Sequence, residues 1–416
     1  MKKSFVYISV LLLAAVSCTR EPLDVSFARP GGALPAASDV PVAFAVGGPQ
    51  TKSQAPITTL AALAAQDFSV SAWYSPEGEI FDGVHSVKYF ANHRFGYVTS
   101  DLAGETTFPN AWQGVAPHAA AGLVNANPVY WPVDGSLSFF CYAPYREGDA
   151  DIVLEDPVTD AGVVARLPDY LPGSPLIRVT PPATAADQAD FLASPALLDR
   201  SRLDDSGRFP LDFSKHRMTQ VEFWFAYKGT LQSDPGITQT FEQARVSSIE
   251  IRDVVGSKYC YFTEAPDRTL GCAWSEKVSP EDGGTVLPKT TYRLVSATGG
   301  ELKTGLDASL EDIEEGGDYR FINDTPTGHL FLLPQKLPAD AKLVINYAIL
   351  NLYAGTRVSE VVTLDLASGL TEWPEGKVVR YLLTLDLPER GVVGVKTQII
   401  PWEDAGIPYY EQEMLY

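Results

Sequence analysis

The sequence predicts an all-β protein made of two β-sandwich domains with few short helices. Apolar residues alternate with period two in many segments, and long stretches of helical periodicity are nearly absent. The 33 Gly and 31 Pro residues indicate many turns. Such alternation is typical of antiparallel sandwiches, in which one face of each strand is buried and the other is wetter. A hydrophobic fraction of 45% is sufficient for packed cores.

The predicted strands follow one another along most of the chain. Their alternating segments are Val40–Val46, Phe68–Tyr74, Ser136–Tyr142, Val221–Tyr227, Ile249–Ile251, Leu343–Ile349 and Val379–Leu387. Leu60–Ala65 and Ala185–Leu198 have the composition of short helices. Ser201–Arg208 is polar and rich in turn residues, which predicts a domain boundary near residue 205. The working division is therefore 40–205 and 206–416.

The N-terminus has the features of an export signal. Lys2 and Lys3 precede an apolar core, Phe5–Val16, that is too short to span a bilayer. The core ends in Leu13-Ala14-Ala15-Val16-Ser17-Cys18, which resembles a bacterial lipobox with Cys18 as the lipidated first residue. An ordinary signal that contains a cysteine is the alternative. Residues 1–17 are the predicted signal peptide, and residues 18–39, rich in Pro, Ala and Gly, are the predicted flexible tether.

The charge excludes one class of partner. Lys and Arg total 32 and Asp and Glu total 52, so the net charge is 32 − 52 = −20. Phosphate backbones require concentrated positive charge, and nucleic acid is therefore not an expected ligand. Four cysteines are too few for a disulfide framework in a chain of this size.

No enzymatic or metal-binding pattern holds. The sequence lacks a Gly-x-Ser-x-Gly elbow, a His-Glu-x-x-His pair, a Cys-x-x-Cys pair and a phosphate loop. His85 and His93 are interpreted as unrelated surface histidines, and the acidic clusters Asp149–Asp156 and Glu311–Asp318 as solvated turns. The sequence thus predicts no enzyme, no cofactor and no metal, although a hydrolase working through carboxylate pairs stays a minor alternative.

Two further groups of residues have a structural and a functional interpretation. Cys260 and Cys272 flank a turn between β-like segments, so a disulfide across a hairpin and two free thiols are both open. Cys141 lies in an apolar strand and is interpreted as a small buried hydrophobe. Five aromatic residues are candidates for stacking on sugars, although such residues are more often core: Trp73, Tyr74, Trp112, Tyr130 and Trp131.

A set of segments occurs in a definite order over nearly the whole chain. They are the lipobox, the strand Val40–Val46, Gln50-Thr51-Lys52-Ser53, Phe68–Tyr74, Tyr130-Trp131-Pro132, Leu137–Pro144, Asp190–Ala193, Phe213–Phe223, Leu333-Pro334-Gln335, Trp373–Tyr381 and Trp402. This order resembles the fimbrillin-like lipoproteins of Bacteroidales, the subunits of fimbriae.

The resemblance implies two sandwiches of transthyretin-like topology and assembly by strand exchange. It implies that the precursor reaches the outer membrane as a lipoprotein, attached through Cys18. A trypsin-like protease then removes the N-terminal strand 40–46, and a neighbouring subunit fills the vacated groove. The implied partners are other fimbrial subunits and host or bacterial surface ligands, and the implied role is structural and adhesive at the cell surface.

The residues themselves give this mechanism a physical basis. Val40, Val42, Phe44 and Val46 form one apolar face, so loss of the strand forfeits roughly 6–12 kcal/mol as an upper estimate. Pro41 and Pro49 near its ends favour a peripheral strand over a central one.

Two features depart from the family pattern. The matching cleavage position is Lys52, before Ser53, where the family has Arg, so either the protease preference differs or no cut occurs. Arg29 is the other basic candidate, but Pro30 follows it. The tail 403–416 presents a poor donor face, which favours a tip, accessory or anchor subunit. A lipid-anchored glycan-binding module of the same fold class is the alternative function.

Overall fold

The predicted all-β class is confirmed. The computed structural model describes residues 34–47, 63, 66–83, 85–98, 111–116, 127–148, 151–158, 161–204, 208–228, 242–276, 288–295, 320–321, 329–351, 355–386 and 391–402. The described residues are 60% strand and 5% helix, and they include no helix of 7 or more residues. Within those ranges no helix is long and apolar enough to cross a membrane.

The first half of the chain contributes twelve described strands and one short helix. The strands are β1 (Ala37–Pro41), β2 (Ala43–Gly47), β3 (Phe68–Ser75), β4 (Val87–Val98), β5 (Ala111–Gly114), β6 (Tyr130–Pro132), β7 (Ser136–Ala143), β8 (Ile152–Glu155), β9 (Leu176–Val179), β10 (Leu192–Ala193), β11 (Leu197–Arg200) and β12 (Arg208–Asp212); α1 is Ala161–Val164.

Most of these strands form one sheet that folds over its own core. The order is β10-β7-β3-β4-β5-β2-β12, with β11 also paired to β7, while β1 pairs with β6 in a separate ribbon. Although β7 and β12 lie far apart in this order, the ring of Phe139 on β7 is 6.4 Å from that of Phe209 on β12. The two ends of the sheet therefore face each other across a core built from alternate residues of each strand.

Strands β3 and β7 are buried on both faces, whereas period-two alternation predicted one wetter face. Every residue of β3 is buried. The reason is a second layer: the Trp73 ring lies 5.2 Å from Phe140, and Phe140 lies 4.9 Å from Phe262 in the second half of the chain.

The second half contributes thirteen described strands. They are β13 (Thr219–Lys228), β14 (Glu242–Val255), β15 (Lys258–Glu264), β16 (Leu270–Trp274), β17 (Lys289–Val295), β18 (Arg320–Phe321), β19 (His329–Leu332), β20 (Gln335–Lys336), β21 (Lys342–Asn351), β22 (Thr356–Asp365), β23 (Glu372–Trp373), β24 (Lys377–Asp386) and β25 (Gly391–Pro401).

Two sheets of this half pack face to face. One has the order β18-β13-β24-β25, with β19 also on β13, and the other has the order β17-β14-β21-β22. Their inner rows share one core, to which Phe223 on β13, Tyr381 on β24 and Ile345 on β21 contribute fully buried side chains. β13 and β24 run parallel, which an antiparallel interpretation of the sequence did not anticipate.

A third sheet joins the two halves of the chain. Its order is β16-β15-β9-β8, so strands before and after residue 205 are hydrogen-bonded to each other. Strand β12, just after the proposed boundary, pairs with β2. The division at residue 205 stays a proposal, but the two halves share a sheet and a hydrophobic cluster.

The segment Ala185–Leu198, which has the composition of a short helix, is helical only at its start. Only Ala185–Asp187 forms a short 3₁₀ helix, and Leu192–Ala193 and Leu197–Arg200 pair with β7 instead. Tertiary pairing with an aromatic strand outweighs the local helical preference of this alanine-rich segment. Of Leu60–Ala65 only Leu63 is described; it is helical, and its carbonyl accepts a hydrogen bond from the Asp67 N–H.

Lys258, the first residue of β15 in the sheet that joins the two halves, is a buried cation. It is 5% exposed, and its Nζ donates a hydrogen bond to the Pro334 carbonyl at 2.7 Å. Burial lowers the pKa of Lys258 from 10.5 to about 8. Between pH 8 and 10.5 the unfolded chain therefore binds one more proton at this residue than the folded chain does.

We expect Lys258→Met to remove a stability increase that the parent shows as pH rises from about 8 to about 10.5. Because the unfolded state holds the extra proton, the free energy of unfolding attributable to Lys258 increases through this window, by roughly 3 kcal/mol in total. Denaturant unfolding at a series of pH values, parent against variant, measures the difference. Parallel pH profiles for the two proteins would contradict a depressed lysine pKa.

Candidate functional site

The first two strands form one continuous N-terminal segment that crosses between two sheets. β1 pairs with β6, from Ala37 opposite Pro132 to Pro41 opposite Tyr130. The N–H of Val42 donates to the Val129 carbonyl at 2.7 Å, and the chain then enters the large sheet as β2. We call residues 37–47 the N-terminal strand segment.

The side chains of this segment are part of the core. Val42 and Phe44 are fully buried, and Val40 and Val46 are partly buried against the same cluster. The Phe44 ring lies 5.2 Å from Phe139. It also lies 5.3 Å from Phe95 and 6.3 Å from Phe68, all in edge-to-face geometry. Such aromatic contacts add stability beyond buried area, so removal of this strand opens the centre of the core.

β2 is an internal strand and not the peripheral one that the prolines favoured. Pro41 ends β1 before the chain enters the large sheet, and Pro49 lies outside the described residues. β2 itself therefore contains no proline and can pair on both edges.

The slot that β2 occupies is bounded by two strands of opposite direction. β5 pairs antiparallel to β2 through Ala43 and Phe44. β12 pairs parallel to β2 along all five residues, from Arg208 opposite Ala43 to Asp212 opposite Gly47. A strand that replaces β2 must therefore run antiparallel to β5 and parallel to β12 to reproduce both sets of hydrogen bonds.

The sequence interpretation missed β12 as a wall of this slot. Phe209, Leu211 and Phe213 are almost fully buried and alternate with the exposed residues Pro210 and Asp212. The Phe213 ring is 5.4 Å from Phe68, in the same core as Phe44. This alternation was a usable strand signal, but no local pattern indicates β2 as the pairing partner of this segment.

Several predicted site residues lie outside the described residues. These are the lipidation residue Cys18, the processing residues Lys52 and Ser53, and the tail 403–416. Lys52 and Ser53 follow the last residue of β2 in the chain and precede β3.

Cys260 and Cys272 lie on neighbouring strands, and the three described cysteines are free. Cys260 is opposite Trp274 and Cys272 is opposite Phe262, so the two cysteines are diagonal neighbours. Their side chains interact, which raises the pKa of the Cys260 thiol and lowers that of Cys272. Diagonal neighbours are typically about 7–8 Å apart, beyond the usual ~4.4–6.8 Å Cα span of a disulfide. The disulfide between Cys260 and Cys272 stays a prediction.

Four of the five candidate sugar-stacking aromatics are core residues. Trp73, Tyr74, Trp112 and Trp131 are between 1% and 7% exposed, whereas Tyr130 is 37% exposed. Fully buried rings offer no face to a glycan, so these side chains do not form a stacking platform.

The candidate metal-binding residues do not converge. The His85 Nδ1 interacts with Asp82 at 2.5 Å, and the His93 Nε2 contacts the Asn127 carbonyl at 3.0 Å. Burial lowers the pKa of His93. Asp151 of the first acidic cluster accepts a hydrogen bond from Arg146 at 3.1 Å. In the described ranges no three His, Cys, Asp or Glu side chains come together as metal ligands.

We expect Phe44→Ala to destabilise the protein by about 3–5 kcal/mol, because it removes a fully buried ring from the centre of an aromatic cluster. Ala45→Ser, at the adjacent exposed position of the same strand, is the matched control and should change stability by less than about 0.5 kcal/mol. Denaturant unfolding gives both values. Equal, small effects for the two variants would contradict a core role for β2.

No family model and no curated protein match the chain. Among solved structures, it is similar to a Bacteroides uniformis protein named for a proposed role in cell adhesion, with 13% identity, a TM-score of 0.42 and coverage of 87% of this chain and 99% of that one. A Bacteroides fragilis protein with the same naming has 12% identity, a TM-score of 0.34 and coverage of 87% and 98%. A Bacteroides thetaiotaomicron protein named for proposed polysaccharide binding has 10% identity, a TM-score of 0.29 and coverage of 82% and 90%. Similarities at this level assign neither a family nor a function.

Proposed function

We propose that the chain is a subunit of a bacterial surface fimbria with a structural and adhesive role. In this proposal it is exported as a lipoprotein, anchored to the outer membrane through Cys18, and assembled by strand exchange after a cut between Lys52 and Ser53. The N-terminal strand segment is the removable strand, and the partners are other fimbrial subunits.

The observation that carries the proposal is the position of β2. The strand is inserted between β5 and β12, and Val42 and Phe44 are fully buried. The chain from Gly47 to Phe68 contains Lys52 and Ser53. A cut after Lys52 therefore breaks the covalent connection between the N-terminal strand segment and the other described strands. Only non-covalent contacts then hold the segment in place.

Loss of the segment removes buried apolar side chains and leaves backbone groups unpaired. A second strand can replace both. Val42 and Phe44 alone contribute about 3–6 kcal/mol through burial, at roughly 1.5–3 kcal/mol each. The backbone groups of β5 and β12 that β2 had paired also lose their partners. A donor strand with alternating apolar residues supplies both the side chains and the hydrogen bonds.

The C-terminal end supports a subunit that accepts a strand without donating one. β25 is paired along its whole length with β24. The Trp402 ring then stacks on His216 at 4.2 Å and on Phe331 at 6.0 Å. Residues up to 402 are thus held in the folded body, which leaves residues 403–416 as the donor candidate. Gln412 interrupts the row Tyr410, Met414 and Tyr416, so we propose a tip or accessory position.

We expect the cut chain to rebind its own strand sequence in trans. The full chain, purified in a non-ionic detergent, is cut by limited digestion with a lysine-specific protease, and a new N-terminus at Ser53 identifies the site. After the N-terminal fragment is removed in mild denaturant, a synthetic peptide of residues 36–48 should bind and restore stability by about 3–6 kcal/mol.

The control peptide carries Val42→Asp and Phe44→Asp, which place charges where the core is apolar, and it should not bind measurably. Lys52→Ala should suppress the new Ser53 terminus. Equal binding of the two peptides, or unchanged stability after the fragment is removed, would show that β2 is not a removable strand that completes the core.

We expect the full chain expressed in a Gram-negative host to incorporate labelled palmitate, and Cys18→Ser to abolish the label, because Cys18 is the thiol at the end of the predicted lipobox. Cys260→Ser should keep the label, since Cys260 is buried in the folded body. Fractionation with outer membranes should depend on Cys18 in the same way. Label retained in Cys18→Ser would contradict lipidation at this residue.

A further inference from the structure

Among the described strands, two edge strands of the second sandwich form one side of it, which we call the open side. β22 ends the sheet β17-β14-β21-β22, and β25 ends the sheet that faces it, among the strands the structure describes. The two edges lie on the same side, because the Thr397 Oγ1 on β25 donates at 2.9 Å to the carbonyl of Gly369, shortly after β22.

Apolar side chains are exposed on both edges. Val361 on β22 is 64% exposed, and Ile399 on β25 is 47% exposed. Val362 and Leu364 point into the sandwich but are only partly buried against its core. A ten-residue edge strand also directs every second N–H and C=O away from its neighbour, which makes such an edge a template for another strand.

The sequence of β22 is complementary to itself when read antiparallel. With Val361 opposite its own copy, Arg357 lies opposite Asp365 and Ser359 lies opposite Thr363. These five residues share the outer, exposed face of the strand. On the inner face Val358 then lies opposite Leu364. Cross-strand pairs of opposite charge and of β-branched residues stabilise a sheet.

Neighbouring registers lack this complementarity. With Glu360 at the centre, two carboxylates of the same kind face each other and Arg357 loses its acidic partner. With Val362 at the centre, Arg357 lies opposite residue 367, beyond the end of β22. In the favoured register Glu360 lies opposite Val362, and it is half-buried in the single chain.

We propose that two copies of this chain associate side by side through β22, antiparallel, with the two-fold axis at Val361. The two four-stranded sheets then form one continuous sheet across the interface. Arg357 of each copy pairs with Asp365 of the other, where Lys342 already contacts that carboxylate within the chain. Val361 is buried against its own copy, and the same patch serves both partners, as a closed two-fold contact requires. This lateral contact is separate from the β2 slot.

Sedimentation equilibrium of the purified full chain in a non-ionic detergent tests the proposal. The parent should pass from one to two chains per particle between low and high micromolar concentration. Arg357→Asp and Asp365→Arg should each raise the dimer dissociation constant roughly tenfold or more, because like charges then face each other at two places. High salt should lessen the effect of both variants.

The decisive sample is an equimolar mixture of the two charge variants. Each cross-pair in the mixed dimer joins an Asp to an Arg, so association should return to near the parent value. Val361→Lys should abolish dimers, whereas Leu203→Lys, a matched change at an 83% exposed residue elsewhere, should not. A parent that stays monomeric throughout, or a mixture no tighter than either variant alone, overturns the proposal.

Discussion

The packing of Phe44 among three other phenylalanine rings is the contact on which the first sandwich depends. Phe68, Phe95 and Phe139 come from β3, β4 and β7, and all three surround a ring from the N-terminal segment. β2 is also the only described sheet neighbour of β12. The strand therefore completes the core and attaches the last strand of its sheet, so its loss affects side-chain packing and sheet closure together.

The role of β12 extends this dependence to the rest of the molecule. β12 leads directly into the segment before β13, where the Arg217 guanidinium donates to Glu375 at 2.8 Å and to the Cys272 carbonyl at 3.2 Å. The Trp274 Nε1 in turn donates to the Arg217 carbonyl at 2.8 Å. β12, the segment between β12 and β13, and the second half of the chain are thus connected by contacts that are mostly buried.

The second sandwich also buries polar groups, which has a cost in desolvation. Within the second sandwich, Glu222 and Arg380 form an ion pair at 2.9 Å while both are nearly inaccessible to solvent. The Trp224 Nε1 donates to the same carboxylate at 3.0 Å, and the Arg380 guanidinium lies over the Trp224 ring. Several partners are needed to offset the desolvation of two charges, and this cluster supplies them where β13 lies beside β24.

Local patterns explain which parts of this fold the sequence could predict. Alternation at Phe68–Tyr74 and Val221–Tyr227 identified strands correctly, because the period of side-chain burial is a property of consecutive residues. The parallel pairing of β2 with β12 joins segments more than 160 residues apart, and no local signal encodes such a partner. For the same reason the sequence did not predict that β3 would be covered on both faces, since the second layer comes from β15. At Ala185–Leu198 the local signal was present but weaker than pairing with β7.

The N-terminal strand segment and the C-terminal strand β25 are attached to the fold in different ways. The N-terminal segment enters the core through alternating apolar residues with no proline in β2, and the chain after it contains a basic residue at which it can be separated. The C-terminal end is held by full pairing of β25 and by the stack of Trp402 between His216 and Phe331. An exchangeable strand must be buried enough to matter and connected so that it can leave. Both strands meet the first condition, because β2 contributes to the core and β25 is fully paired. In the proposed exchange only the N-terminal segment meets the second condition, because Lys52 follows it in the chain. The proposed asymmetry between an accepting N-terminal slot and a C-terminal strand that stays in place therefore rests on how each end is attached.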